Sequence, residues 1–149
     1  MTSVVASLFA DKILRAAERL VSCLDGLDDV ATSAVPHAGA NSIAGIVNHA
    51  LSNIEDNVLA VIGGSSASRD RSIEFDPEGG PTGVVERWTL LRPRIAAILD
   101  ATDDPSLYRL VHHERRGEIT VAELLMVILR HLGEHEGEAM LTRSLIAKA

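Results

Sequence analysis

The chain is short of the residues that mark several common protein classes. It has one cysteine, Cys23, which excludes an internal disulfide and makes a reducing compartment its natural setting. Aromatic residues are only 3% of a chain that is 46% hydrophobic, so its core must be aliphatic. That composition suits packed helices better than a β-sandwich, which draws more on aromatic and β-branched residues. No block of lysine or arginine occurs and the formal charge is −7, so nucleic acid is a poor expectation as a partner: binding it begins with phosphate neutralisation. The acidic excess reads as a contribution to solubility. No uncharged apolar run approaches the ~18 residues of a membrane span. Asp11, Lys12, Arg15 and Glu18 break up any apolar stretch that could serve as a signal peptide. The expectation is a cytoplasmic protein that engages neither membrane nor nucleic acid. The G-x-S-x-G of serine hydrolases and the glycine motifs of phosphate-binding loops are missing as well.

What the chain does have is helical periodicity. Its 149 residues suit a single domain, 1–149, large enough to bury a sizeable core. Four segments show apolar residues at three- and four-residue steps. The first runs from about Thr2 to Asp25, through Val5, Phe9, Ile13, Ala16 and Leu20, and Gly26 can close it. Leu27 to Ala40, with Pro36 and Gly39, reads as a loop. The second helix opens at Asn41 or Ser42, either able to cap it, and stops at Gly63-Gly64. Ser65 to Gly83 is a polar linker, long for a compact domain. The third helix covers about Val84 to Asp100, and Pro93 inside it predicts a kink or break near Leu91–Arg92. A polar segment containing His112, His113, Arg115 and Arg116 leads to Gly117. The last helix begins at Thr120, with Glu123 completing a capping box, and continues to about Ala147. The expected fold class is all-α, a four-helix bundle.

Six histidines are present. His131 and His135, four apart in the last helix, share a face, about 5–6 Å apart at Cβ, where two imidazoles can converge on one ion. The glutamate that follows the first histidine in H-E-x-x-H proteases is absent from His131-Leu132-Gly133-Glu134-His135, so that chemistry is not supported. Beside the apolar stripe of this helix run His131, His135, Glu138 and Thr142; beside that of the second helix run His49, Asn53 and Asp56. Two such polar edges, if apposed, make a polar pocket in an aliphatic bundle, and burying it is costly unless something satisfies it. A metal ion would do so. The plainer alternative, histidines on helix edges satisfied by water, stays open on spacing alone.

At these residues the sequence resembles the DinB superfamily, which includes mycothiol- and bacillithiol-dependent enzymes. The resemblance is carried by Asn41-Ser42-Ile43-Ala44 leading to His49, and by Leu129 to Glu138 with its histidine pair. It implies an up-down-down-up bundle with Ser65–Gly83 as the long crossover. It also implies a divalent metal ion, often zinc or nickel, on positions matching His49, His131 and His135, and a homodimer. The aromatic residues found after the histidine in many members are missing here, where Ala50, Leu51 and Ser52 follow it.

Three imidazoles leave a coordination position open, the mark of a catalytic rather than a structural site. The related enzymes imply metal-dependent transfer of a low-molecular-weight thiol as the first expectation, with a small-molecule thiol as substrate. Asn53, Asp56 and Glu138 are candidates for supporting the ligands or accepting a proton. A metal- or ligand-binding bundle without turnover is the alternative, and a purely structural dimer a third reading. Cys23 reads as packing. His112, His113, Arg115 and Arg116 read as a solvated loop that could help recognise an anionic substrate, and Trp88 as packing with a minor claim on a pocket wall or dimer contact.

Overall fold

The computed structural model describes residues 3–66, 69–77 and 80–148. Helix α1 spans Val4–Ser22, and the expected start at Thr2 lies outside the described residues. Its inward face is mostly alanine (Ala6, Ala10, Ala16, Ala17) with Ile13 and Leu20, small enough to bring the last helix and α4 close. A short helix, α2 (Asp29–Ser33), lies inside the segment expected to be a loop; Asp28 caps it by accepting from the Ala31 N–H at 2.8 Å.

Helix α3 (Ile43–Ile54) starts at Ser42, whose hydroxyl accepts from the Gly45 N–H at 3.1 Å. From Glu55 to Ile62 the same helix continues with the wider π hydrogen-bonding pattern. Helix α4 runs from Gly80 to Ala101 with Pro93 inside it, so of the kink or break expected near Leu91–Arg92 the break does not occur. Pro93 and Thr89 are both exposed, and the Thr89 carbonyl that the proline deprives of a partner can turn to water.

The chain is mostly helical, as expected, and adds one small two-stranded sheet between α4 and the last helix. A 3-10 turn (Pro105–Tyr108) leads into a hairpin of β1 (Leu110–His113) and β2 (Gly117–Thr120), with His113 opposite Gly117. Arg116 donates its N–H to the His113 carbonyl at 3.1 Å, and Gly117 follows at φ 71°, a left-handed position that glycine takes without a Cβ clash. Strands of four residues are too short for their alternation to stand out in sequence. Helix α5 (Val121–Ala147) then begins with the expected capping box between Thr120 and Glu123.

Helices α1, α3, α4 and α5 surround one aliphatic core, with Ile13, Ile46, Ile54, Ile95, Leu125 and Ile128 fully buried. Polar pegs fix their relative heights. Arg19 bonds Glu136 at 2.9 Å and Arg92 bonds Glu18 at 2.6 Å. Arg143 donates to the Cys23 and Asp25 carbonyls, capping the C-terminal end of α1 from α5. Among the described residues no helix is long and apolar enough to cross a membrane.

Candidate metal centre

His49 on α3 and His131 and His135 on α5 come together where these two helices pack. Ring centroids lie 5.2 Å apart for His49 and His131, 4.8 Å for His49 and His135, and 4.3 Å for His131 and His135. One nitrogen from each lies within 4.8 Å of the others, close enough that the three could hold one metal ion.

The outer nitrogens select which atoms face one another. His49 Nδ1 bonds Glu74 Oε2 at 2.7 Å, and His135 Nδ1 bonds Glu138 Oε2 at 2.8 Å. A carboxylate on Nδ1 fixes that nitrogen as the N–H donor and leaves Nε2 with a free lone pair. His131 Nε2 is buried and has no hydrogen-bond partner. A buried polar atom left unpaired costs free energy that a metal ion in its lone-pair direction would restore, so the residues present fit such an ion. Burial pushes the His131 pKa down to about 3, helped by the neighbouring imidazoles and by Arg69 and Arg130. Burial also lowers that of His49, against the opposing pull of Glu74. Both therefore stay neutral at ordinary pH, which is the form that ligates metals.

Glu138 had a visible place in the sequence, on the same helix edge as His135. Glu74 did not. It lies in the linker between α3 and α4, 3% exposed, where burial raises its pKa but bonds from Arg69 and His49 outweigh that and hold it below the usual value. Arg69 grips both its oxygens, through Nε and, at 3.0 Å, Nη2. The Glu74 carbonyl accepts from Asn48 Nδ2 at 2.9 Å, and Asn48 Oδ1 accepts from Arg87 of α4 at 2.7 Å. Phe75 stacks on the His49 ring at 4.5 Å and 18°. The chain passes so near α3 that a Cβ at Gly45 would meet the Phe75 carbonyl oxygen at 2.5 Å. The one hint in sequence is Ile73-Glu74-Phe75, a carboxylate between apolar residues in an otherwise polar linker.

A cavity of about 900 Å³ opens beside His49 and His131. Asn53, Asp56, Asn57 and Val61 of α3 and its π-helical extension line one wall. π segments often occur at functional sites. The side-chain oxygens of Asn53 and Asn57 are buried without partners, so the polar edge expected on the second helix does form a wall here. His112, His113, Arg115 and Arg116 belong to the hairpin at the mouth rather than to a free loop. Trp88 is buried in the core, away from this cavity's lining.

The pattern of the DinB superfamily matches residues 12–139. The chain belongs to the DinB superfamily. That match takes in all three histidines, Glu74 and Glu138. No curated protein matches the sequence. A crystal structure of a conserved protein from Enterococcus faecalis is similar to this DinB chain in fold, with a TM-score of 0.70 at 16% identity, over 97% of this chain and 98% of that one.

Proposed function

We propose that this DinB protein is a divalent-metal-dependent enzyme that transfers a low-molecular-weight thiol to or from an electrophile, with His49, His131 and His135 as the ligands and zinc or nickel as the ion. The observation that carries the reading is the orphaned His131 Nε2 facing two imidazoles whose Nδ1 atoms are tied to Glu74 and Glu138. When bound, the ion would supply Lewis acidity and favour deprotonation of a thiol brought to it. The chain's own groups do the rest. Glu74 and Glu138 fix the ring orientations, Phe75 covers one face of His49, and the adjoining cavity admits a small molecule. Asp56, on that cavity's wall, is the carboxylate available to take up the thiol proton.

Two further readings accompany it. The bundle is up-down-down-up: the Arg19–Glu136 and Arg143–Cys23 pegs support α1 parallel to α5, and the Asn48–Arg87 bond with the contact that a Cβ at Gly63 would make with Ile98 supports α3 parallel to α4. The protein is a homodimer, a reading supported by exposed Met126, Met140, Leu141 and Leu145 on α5 and by Gly133 and Gly137, where an added Cβ would meet nothing.

Elemental analysis of tag-free wild type, His49→Ala and His135→Ala tests the metal site. Near one equivalent in wild type, lost in both variants, supports it; no metal after incubation with zinc or nickel sinks it. Thiol-dependent consumption of an electrophile by the loaded protein then separates an enzyme from a bundle that only binds metal.

A further inference from the structure

The lining of the 900 Å³ cavity is richer in basic than in acidic groups, the opposite of the molecule as a whole. Of the 14 lysine and arginine residues in a chain of net charge −7, five arginines line it: Arg69, Arg71, Arg115, Arg116 and Arg130. They come from three separate elements, namely the linker, the hairpin turn and α5. Three carboxylates, Asp56, Glu74 and Glu114, share the lining, so the basic side prevails. Arg69 is committed to Glu74, while Arg71 and Arg130 make looser, exposed pairs of 3.3 Å with Glu114 and Glu134. Arg115 and Arg116 have no carboxylate partner among the described residues. The tight turn closed by Gly117 holds their backbone in place, and the Arg115 N–H donates to His113 Nδ1 at 3.2 Å. Self-repulsion among unpaired guanidinium groups is unfavourable, and an anion between them removes it. A cation held by the histidines would strengthen the same field.

We propose that the hairpin arginines Arg115 and Arg116, with Arg71, form the specificity-determining subsite for a small substrate bearing one or two oxyanion charges, which lies along the cavity with its reacting group at the histidines. The inference rests on the metal-site reading above and adds the chemical class of the molecule that enters. Guanidinium forks suit carboxylate and phosphate oxygens alike, so the shared feature is the oxyanion. A neutral thiol of the same size gains nothing from this wall.

The test uses cobalt-loaded full-length protein, with uptake of cobalt measured first. Mercaptosuccinate, a dicarboxylate thiol, and neutral 2-mercaptoethanol are titrated against it, followed by the visible and near-ultraviolet cobalt spectrum. Mercaptosuccinate is expected to bind at least about tenfold tighter at low salt, a gap that narrows as salt rises. In Arg115→Ala/Arg116→Ala the preference should fall to near parity, with cobalt stoichiometry and 2-mercaptoethanol affinity unchanged. Arg15→Ala, which removes another exposed charge, on α1, should keep the full preference. Displacement of mercaptosuccinate by millimolar inorganic phosphate would assign the oxyanion to a phosphate ester, and resistance to it would assign a carboxylate. Equal affinities in the wild type, or a preference that survives the double variant, overturns the subsite while leaving the metal centre standing. Failure to take up cobalt overturns the metal centre, and the subsite with it.

Discussion

Replacing Gly45 by alanine adds one methyl group to α3 and should be felt at His49, four residues away on the same helix. The new Cβ would lie 2.5 Å from the Phe75 carbonyl oxygen and 3.1 Å from two more Phe75 backbone atoms. Ordinary contact begins at 3.4 Å, so the linker must retreat by about 0.9 Å, and the obstacle is backbone rather than a flexible side-chain tip. The displaced segment carries Glu74, bonded to His49 Nδ1 at 2.7 Å, and Phe75, stacked on the ring. A bond of that length does not survive such a retreat without rearrangement. The overpacking itself should cost about 1–3 kcal/mol of stability. At roughly 2–4 °C per kcal/mol for a chain of this size, that is a readily measured fall in Tm. Loss of the carboxylate partner should weaken metal binding about 10–100-fold, the usual effect of removing such support from a ligating histidine. Competition with a chromophoric chelator reads the affinity, and calorimetry reads the Tm. Gly45→Ala with a lowered Tm but wild-type metal affinity would refute the argument that the linker positions His49.

Glu74→Gln should reproduce the weakening of metal binding without the steric cost, since it removes the charge shared by Arg69 and His49; unchanged affinity by the same competition would show that the charge is not used. Gly137→Ala should raise the stability of the isolated chain by about 0.5–1 kcal/mol, because the glycine lies inside α5 with no atom near its missing Cβ, and denaturant melts would show it. If the same variant weakens self-association in light scattering, that face of α5 is the dimer contact. Acidification should destabilise the metal-free protein. His131 has a pKa of about 3 when folded against 6.5 as its ordinary value, so between those values the unfolded state holds the extra proton. Stability is then full above pH 6.5 and falls as the pH drops towards 3, with a slope approaching about 1.4 kcal/mol per pH unit from this residue. His131→Phe should flatten that slope in urea melts at stepped pH, and an equal slope in the variant would refute the assignment.

Local chemistry sets much of this protein, and that part is legible residue by residue. Ser42 and Thr120 can each offer an oxygen to a backbone N–H three residues on, so both long helices flanking the site start where the sequence says they do. The four-residue spacing of His131 and His135 places both on one face because the helix repeats every 3.6 residues, and Glu138, three further on, falls within reach of His135. Composition alone determined that the core would be aliphatic. Non-local packing decided the rest. His49 meets its partners only because α3 lies against α5, and Glu74 reaches His49 only because Gly45 lets the linker touch α3. The π-helical register from Glu55 to Ile62 has no mark in the residues themselves, and the hairpin's two strands are too short for periodicity to reveal. Helix caps and faces follow from contacts between residues a few positions apart, which a sequence displays directly. A site whose groups come from a helix, a linker and another helix follows from how those pieces fit together, and that fit is settled by shape and burial across the whole bundle.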